Sequence, residues 1–164
     1  MSEEPDPVEW VRQHWAEVGL ADPDMFAAMA ALLRSHQMVV AALEAELKGA
    51  ELTLTGYLVL VTLLMSRGET RPLGQLSKHL MIHPTSVTLV IDQLEKRGLV
   101  KRSRHPSDRR IVLAKLTPSG RRLTTKVSKA IAAANFGLAG LDLDEARALT
   151  ETLRQVRQKL GDPV

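Results

Sequence analysis

The sequence predicts a mainly α-helical chain interrupted by a single β-hairpin. Three observations carry this expectation. Aromatic residues make up only 3% of a chain that is 45% hydrophobic, so the core must be built from Leu, Val, Ala, Ile and Met, a palette suited to helix-on-helix packing. Helix-start signals recur from one end of the chain to the other. One stretch alone, Leu99 to Leu116, alternates apolar and charged residues about a run of turn formers.

The first helix is announced by Asp6-Pro7-Val8-Glu9, with an acid at the N-cap and proline at the first helical position, and Gly19 stops it. A second start at Asp22-Pro23-Asp24-Met25 opens a long helix to about Lys48, closed by Gly49. Its residues Met25, Phe26, Met29, Leu32, Leu33, His36, Val39, Val40, Leu43 and Leu47 fall three and four apart along one stripe. A third helix, from about Thr53 to Arg67, is apolar on nearly all sides and so is expected to be buried, with Gly68 as its stop. Two shorter helices follow at about Leu73–Met81 and Pro84–Arg97. Strands at Leu99–Arg104 and Ile111–Leu116 flank the turn residues His105-Pro106-Ser107-Asp108-Arg109. Thr117-Pro118 opens a helix ending near Leu138, and the capping box Asp142-Leu143-Asp144-Glu145 opens a last one reaching about Leu160.

With 164 residues the chain suits one compact domain. The absence of cysteine excludes a disulfide scaffold, a thiolate zinc site, a Cys nucleophile and a thiol redox sensor. The acidic N-terminus MSEEPDPVEW has no apolar segment of a secretory signal, and the run Tyr57–Met65 is too short to cross a bilayer, so a cytoplasmic protein with no membrane partner is expected. The five histidines form no HxxxH or HExxH pair, no glycine-rich phosphate loop or GxSxG elbow is present, and no catalytic residue, metal site or cofactor is expected.

A net charge of +3 hides a lopsided distribution. Residues 1–24 carry Glu3, Glu4, Asp6, Glu9, Glu17, Asp22 and Asp24 against Arg12. Residues 96–129 carry Lys96, Arg97, Lys101, Arg102, Arg104, Arg109, Arg110, Lys115, Arg121, Arg122, Lys126 and Lys129 against Asp108. The basic block is either a footprint for a polyanion or a solvated surface.

Context decides between them. In the helix from Pro84, Val87, Val90, Ile91 and Leu94 form a buried stripe, which turns Thr85, Ser86, Thr88, Leu89, Asp92, Gln93 and Lys96 outward. Small hydroxyls at the N-terminal end of an exposed helix fit between base edges in a major groove, and His83 stands at the N-cap position. Alone, the pair of helices reads more readily as a structural helical hairpin than as a DNA reader. The β-hairpin changes the balance: Leu99, Ile111 and Leu113 point inward while Arg104, His105, Asp108, Arg109 and Arg110 crowd its tip. An arginine-bearing hairpin directly after such a helix reads as a wing whose tip suits the narrow, electronegative minor groove; the bland alternative is a solvated turn with an Asp–Arg pair.

The stretch SVTLVIDQLEKRGLVKRSRHPSDRRIVLAKLTPSGRRL resembles the MarR family of bacterial winged helix-turn-helix regulators. The likeness lies in Leu94-Glu95-Lys96-Arg97-Gly98-Leu99-Val100, in Asp108-Arg109-Arg110, and in Leu116-Thr117-Pro118-Ser119-Gly120, and it extends more weakly over roughly residues 25–160. The resemblance implies a homodimer whose N- and C-terminal helices (residues 1–50 and 118–164) intertwine, with a winged lobe (51–117) reading half of a pseudo-palindromic double-stranded DNA operator. It implies a recognition helix at Pro84–Arg97 with Pro84, Thr85, Ser86, Thr88, Leu89 and Gln93 at the DNA. Arg104, Arg109 and Arg110 would serve at the wing, Arg110 entering the minor groove under the orientation of Asp108. It further implies repression relieved by a small aromatic or lipophilic anion bound between the dimerisation helices and the lobe. An extra N-terminal helix with Trp15 resembles the urate-sensing branch, but Leu58 replaces that branch's acid, Val90 and Gln93 replace its basic residues, and Leu89 replaces a frequent arginine.

For an effector, Trp15, Phe26, Met29, His36, Tyr57 and Met65 are the candidate lining, each with plain core packing as the alternative. A different class of function, a winged-helix interaction or dimerisation module that does not read DNA, remains the second reading.

Overall fold

The computed structural model describes residues 6–162; Glu3 and Glu4 of the acidic cluster lie outside them. Seven helices and three strands follow in order: α1 (Pro7–Glu17), α2 (Pro23–Lys48), α3 (Leu54–Met65), β1 (Thr70–Pro72), α4 (Leu73–Leu80), α5 (Pro84–Lys96), β2 (Val100–Arg104), β3 (Val112–Leu116), α6 (Pro118–Ala133) and α7 (Leu143–Lys159), with single 3₁₀ turns at Arg67–Glu69 and Asn135–Gly137.

The expected caps form where a side chain can reach a free N–H. Asp6 accepts from Val8 N, Thr53 from Gly56 N and Thr117 from Gly120 N, and Asp142 and Glu145 close a full capping box. Asp22 departs from this. Its backbone is left-handed at φ 54°, and its side chain caps nothing; the helix starts on the fixed φ of Pro23. Gly49 is right-handed, and the left-handed residue that turns the chain out of α2 is Glu51 at φ 51°. Helix α6 ends at Ala133 rather than near Leu138, because Asn135, Phe136 and Gly137 are all left-handed. Gly137 lies so close to α2 that an added Cβ would meet the Val39 carbonyl and the Ala42 Cβ, each at 3.2 Å.

The sheet has an unexpected third strand. β3 lies centrally, paired antiparallel with β2 and with β1, in the order β1-β3-β2. β1 has three residues ending in proline, too short to show alternation, and it exists only through its pairing with β3. Ile111 is corrected as well: it stands outside the strand, is exposed, and its N–H and carbonyl close the wing loop, while Val100, Ala114 and Leu116 face the interior.

One core runs through the lobe. Val59, Leu60 and Leu63 of α3 meet Leu76, Val87, Ile91, Leu94, Leu99, Val100, Ala114 and Leu116, and Val127, Ile131 and Leu47 tie α6 and the end of α2 to them. The terminal helices are different. α1 and α7 bury no residue and α2 buries only Ala27 and Leu47. The long apolar stripe of α2 therefore lies open in the single chain, with Met25 72% and Leu33 55% exposed. By length and composition α2 is apolar enough to cross a bilayer, yet it ends in Leu47, fully buried in the lobe's core.

Candidate nucleic-acid interface

Helix α5 stands on α3 and α4 by Val87, Ile91 and Leu94, all buried, so its opposite face is fixed by the same packing. Pro84, Thr85, Ser86, Thr88, Leu89 and Gln93 are all exposed on it, as the sequence predicts. His83 caps the helix through Nδ1, which accepts from Thr85 N at 3.3 Å. The Thr88 hydroxyl donates back to the Pro84 carbonyl at 3.1 Å, leaving its lone pairs as acceptors toward a donor such as a base amino group.

The wing tip is held by its own polar groups. His105 N–H donates to the Ile111 carbonyl and Ile111 N–H to the Asp108 carbonyl, both at 3.0 Å. Arg104 donates to the Arg109 carbonyl at 3.0 Å, so this arginine braces the loop. Asp108 accepts from Arg110 three times: from the backbone N–H at 3.0 Å, from Nε at 3.2 Å and from Nη2 at 3.4 Å. The Arg110 side chain nonetheless remains 92% exposed. A carboxylate thus aims a cation that stays accessible, the geometry expected of a minor-groove reader.

The Arg110 guanidinium, then its backbone N–H, hold the Asp108 carboxyl below the usual aspartate range. Because the folded value is the lowered one, the pairing contributes fully above the ordinary aspartate range and is lost as pH falls through the lowered value. A carboxyl-carbon NMR titration is expected to place the Asp108 midpoint below about 3.9. Arg110→Ala should return it toward that figure, and added salt should do so in part because the pair is exposed.

Two arginines of the basic block serve the fold instead. Arg97 donates to the carbonyls of Glu51 and Ala50, the latter at 2.9 Å, tying the end of α5 to the chain leaving α2. Arg102 turns from β2 toward α5, pairing with Asp92 and with Glu95 and donating to the Thr88 carbonyl. In the sequence both read only as positive charge. The signal available was Asp92 and Glu95, three apart on an outward face, which ask for a cation.

The six candidate effector residues are not assembled into one cavity in the single chain. Trp15 and Phe26 stack at 3.7 Å between ring centroids, and the Trp15 indole N–H donates to the Ala21 carbonyl. Met29 is exposed further along α2. Tyr57 is buried in the lobe with its hydroxyl 3.1 Å from that of Ser128. Met65 is exposed beside Arg67 and Arg71. His36 is exposed rather than a core histidine, and lines a largely apolar cleft of about 550 Å³ between α2 and α7, with Leu32, Val39, Leu149 and Leu153.

Comparison with known proteins bears on the fold and the family. A family model described as the MarR family matches residues 52–112. The HTH-type transcriptional regulator SarZ of Staphylococcus saprophyticus is 31% identical over 113 residues, 69% of this chain and 75% of SarZ. The chain spans 61%, 64% and 55% of the lengths of the first three curated relatives, all HTH-type transcriptional regulators. Among solved structures, Sco5413, a MarR family transcriptional regulator from Streptomyces coelicolor, superposes with a TM-score of 0.78 at 32% identity, covering 85% of this chain and 96% of that one. Bordetella bronchiseptica BpsR, whose DNA binding is regulated by 6-hydroxynicotinic acid, superposes with a TM-score of 0.70 at 30% identity, covering 77% of this chain and 90% of that one.

Proposed function

The chain belongs to the MarR family of transcriptional regulators, and from that premise we propose that it is a cytoplasmic repressor that binds a pseudo-palindromic operator as a homodimer and is released by a small aromatic or lipophilic anion. The observation that carries the DNA-reading part is the accessible Arg110 held by Asp108 at the tip of a hairpin that follows α5. Specificity then comes from Thr85, Ser86, Thr88, Leu89 and Gln93 in the major groove and from Arg110 in the minor groove, with Arg109 at the phosphates. The open apolar stripe of α2, the exposed Leu149 and Val156 of α7 and the exposed Leu160 just past its end support a dimer made by the terminal helices, residues 1–50 and 118–164, around lobes 51–117. BpsR, whose DNA binding is regulated by the aromatic acid 6-hydroxynicotinic acid, supports the effector class. For the effector site, the stacked Trp15–Phe26 pair supplies one assembled aromatic wall.

Binding of the purified protein to its own upstream DNA, titrated with salt and an unrelated duplex, tests this reading. Tight, competitor-resistant binding with steep salt dependence is expected. Arg110→Ala should weaken it about 5- to 150-fold, on the order of 1–3 kcal/mol. A chain that binds no duplex at any salt, or is indifferent to Arg110→Ala, is an interaction module instead.

A further inference from the structure

Arg102 belongs to the wing by sequence and to the recognition helix by contact. Its guanidinium pairs with Asp92, lies 3.3 Å from Glu95 Oε2 and donates to the Thr88 carbonyl at 3.1 Å, while its backbone N–H donates to Glu95 Oε1 at 2.9 Å. These acceptors span two turns of α5, and a planar fork of five N–H donors is suited to hold all three at once. Its side chain is 27% exposed, against 92% for Arg110. Beyond it the hairpin is thin: Ser103, Arg104, Arg109 and Arg110 are exposed, and β2 pairs with β3 alone. A two-stranded ribbon has little stiffness of its own, so the direction of the tip relative to α5 is set where the ribbon is last anchored.

On the DNA-reading function proposed above, we infer that Arg102 is a positioning residue: through Asp92 and Glu95 it locks the wing to α5, so that Arg110 and the face of α5 meet the duplex as one rigid unit. The same pairs neutralise two carboxylates on the helix that approaches phosphate. Such a lock makes the two halves of the reading cooperative. Arg110 delivers its full effect only while the wing is held at the angle α5 imposes.

Two measurements test this. The first needs no DNA. The chain has no cysteine, so spin labels at Lys96→Cys on α5 and Ser107→Cys in the wing loop are unique, with labelled protein diluted into unlabelled chain. A narrow distance distribution is expected, broadening in Arg102→Met and in Asp92→Asn/Glu95→Gln while circular dichroism stays unchanged. The second uses the upstream duplex. Arg102→Met is expected to weaken binding about 10-fold, and in that background Arg110→Ala should cost less than a third of the factor it costs alone. An unbroadened distribution, or losses that simply multiply, overturns the inference. Should Arg102→Met fail to fold, the Asp92→Asn/Glu95→Gln protein supplies both the label distances and the coupling to Arg110→Ala. Failure of the wild-type chain to bind any duplex sinks the regulator reading, and the label distances then judge the lock by themselves.

Discussion

Gly120→Ala is expected to destabilise the protein by about 3 kcal/mol, lowering its melting temperature by roughly 10 °C. Gly120 sits in the first turn of α6, where the helix passes over the root of the wing. A Cβ there would lie 2.1 Å from the Leu99 carbonyl oxygen, 2.9 Å from Leu116 Cδ1 and 3.0 Å from the Leu99 carbonyl carbon. The obstacle is backbone, and it is held in place: Leu99 O accepts from Thr117 N at 3.0 Å and from the Thr117 hydroxyl at 3.1 Å. The clash therefore cannot be relieved by a rotamer change. Helix propensity alone predicts the opposite sign, since alanine exceeds glycine by about 1 kcal/mol in a helix. Gly74 of α4 supplies the contrast, because nothing lies within 4 Å of its would-be Cβ. Gly74→Ala should leave stability unchanged or raise it by several tenths of a kcal/mol. Thermal unfolding of the two variants side by side separates contact from propensity. A Gly120→Ala protein that melts with the wild type would mean that α6 does not rest on the wing root.

On α5, Ile91→Ala should cost about 2–5 kcal/mol of stability, whereas Leu89→Ala, two residues away, should cost less than about 0.5 kcal/mol. Ile91 is fully buried and Leu89 is 59% exposed. Removing the Ile91 side chain leaves a cavity between α5 and the rest of the core, and the helix that carries the proposed reading face loses its seat. Removing Leu89 takes an apolar contact from the outward face and nothing from the interior. Urea midpoints should therefore separate widely, while operator binding at a temperature where both proteins are folded should respond to Leu89→Ala. Equal midpoints would mean that α5 is rotated from the orientation described.

Much of this was readable from the chain. The starts of α1, α3, α5, α6 and α7 were marked by residues that satisfy helix ends locally, and local signals survive into the structure. So was the two-faced character of α5, because its apolar period is complete. What escaped depends on partners distant in sequence. β1 needs β3, some forty residues away, to be a strand at all. The early end of α6 is fixed by the approach of Gly137 to α2; Asn135 and Gly137 were its local stop signals, standing before the expected end at Leu138. Arg102 and Arg97 were indistinguishable from DNA-facing cations, since charge counts do not tell which acceptor a guanidinium meets. The candidate effector residues share only a type: aromatics, methionines and a histidine on apolar faces. Type does not bring residues together, and the aromatic pair that the single chain assembles is Trp15 stacked on Phe26.

The place of the tryptophans has an optical consequence. The chain holds two, Trp10 and Trp15, and one tyrosine, Tyr57. Both indoles ride on α1, which buries none of its residues, and Trp15 is stacked on Phe26 of α2. The phenol sits inside the lobe against Ser128. Indole emission therefore watches the terminal helices and is blind to the lobe, and tyrosine emission does the reverse. Parting of the proposed dimer, or stacking of the proposed ligand beside Trp15, is expected to change the colour or intensity of the indole signal while the winged lobe stays folded and spectroscopically silent.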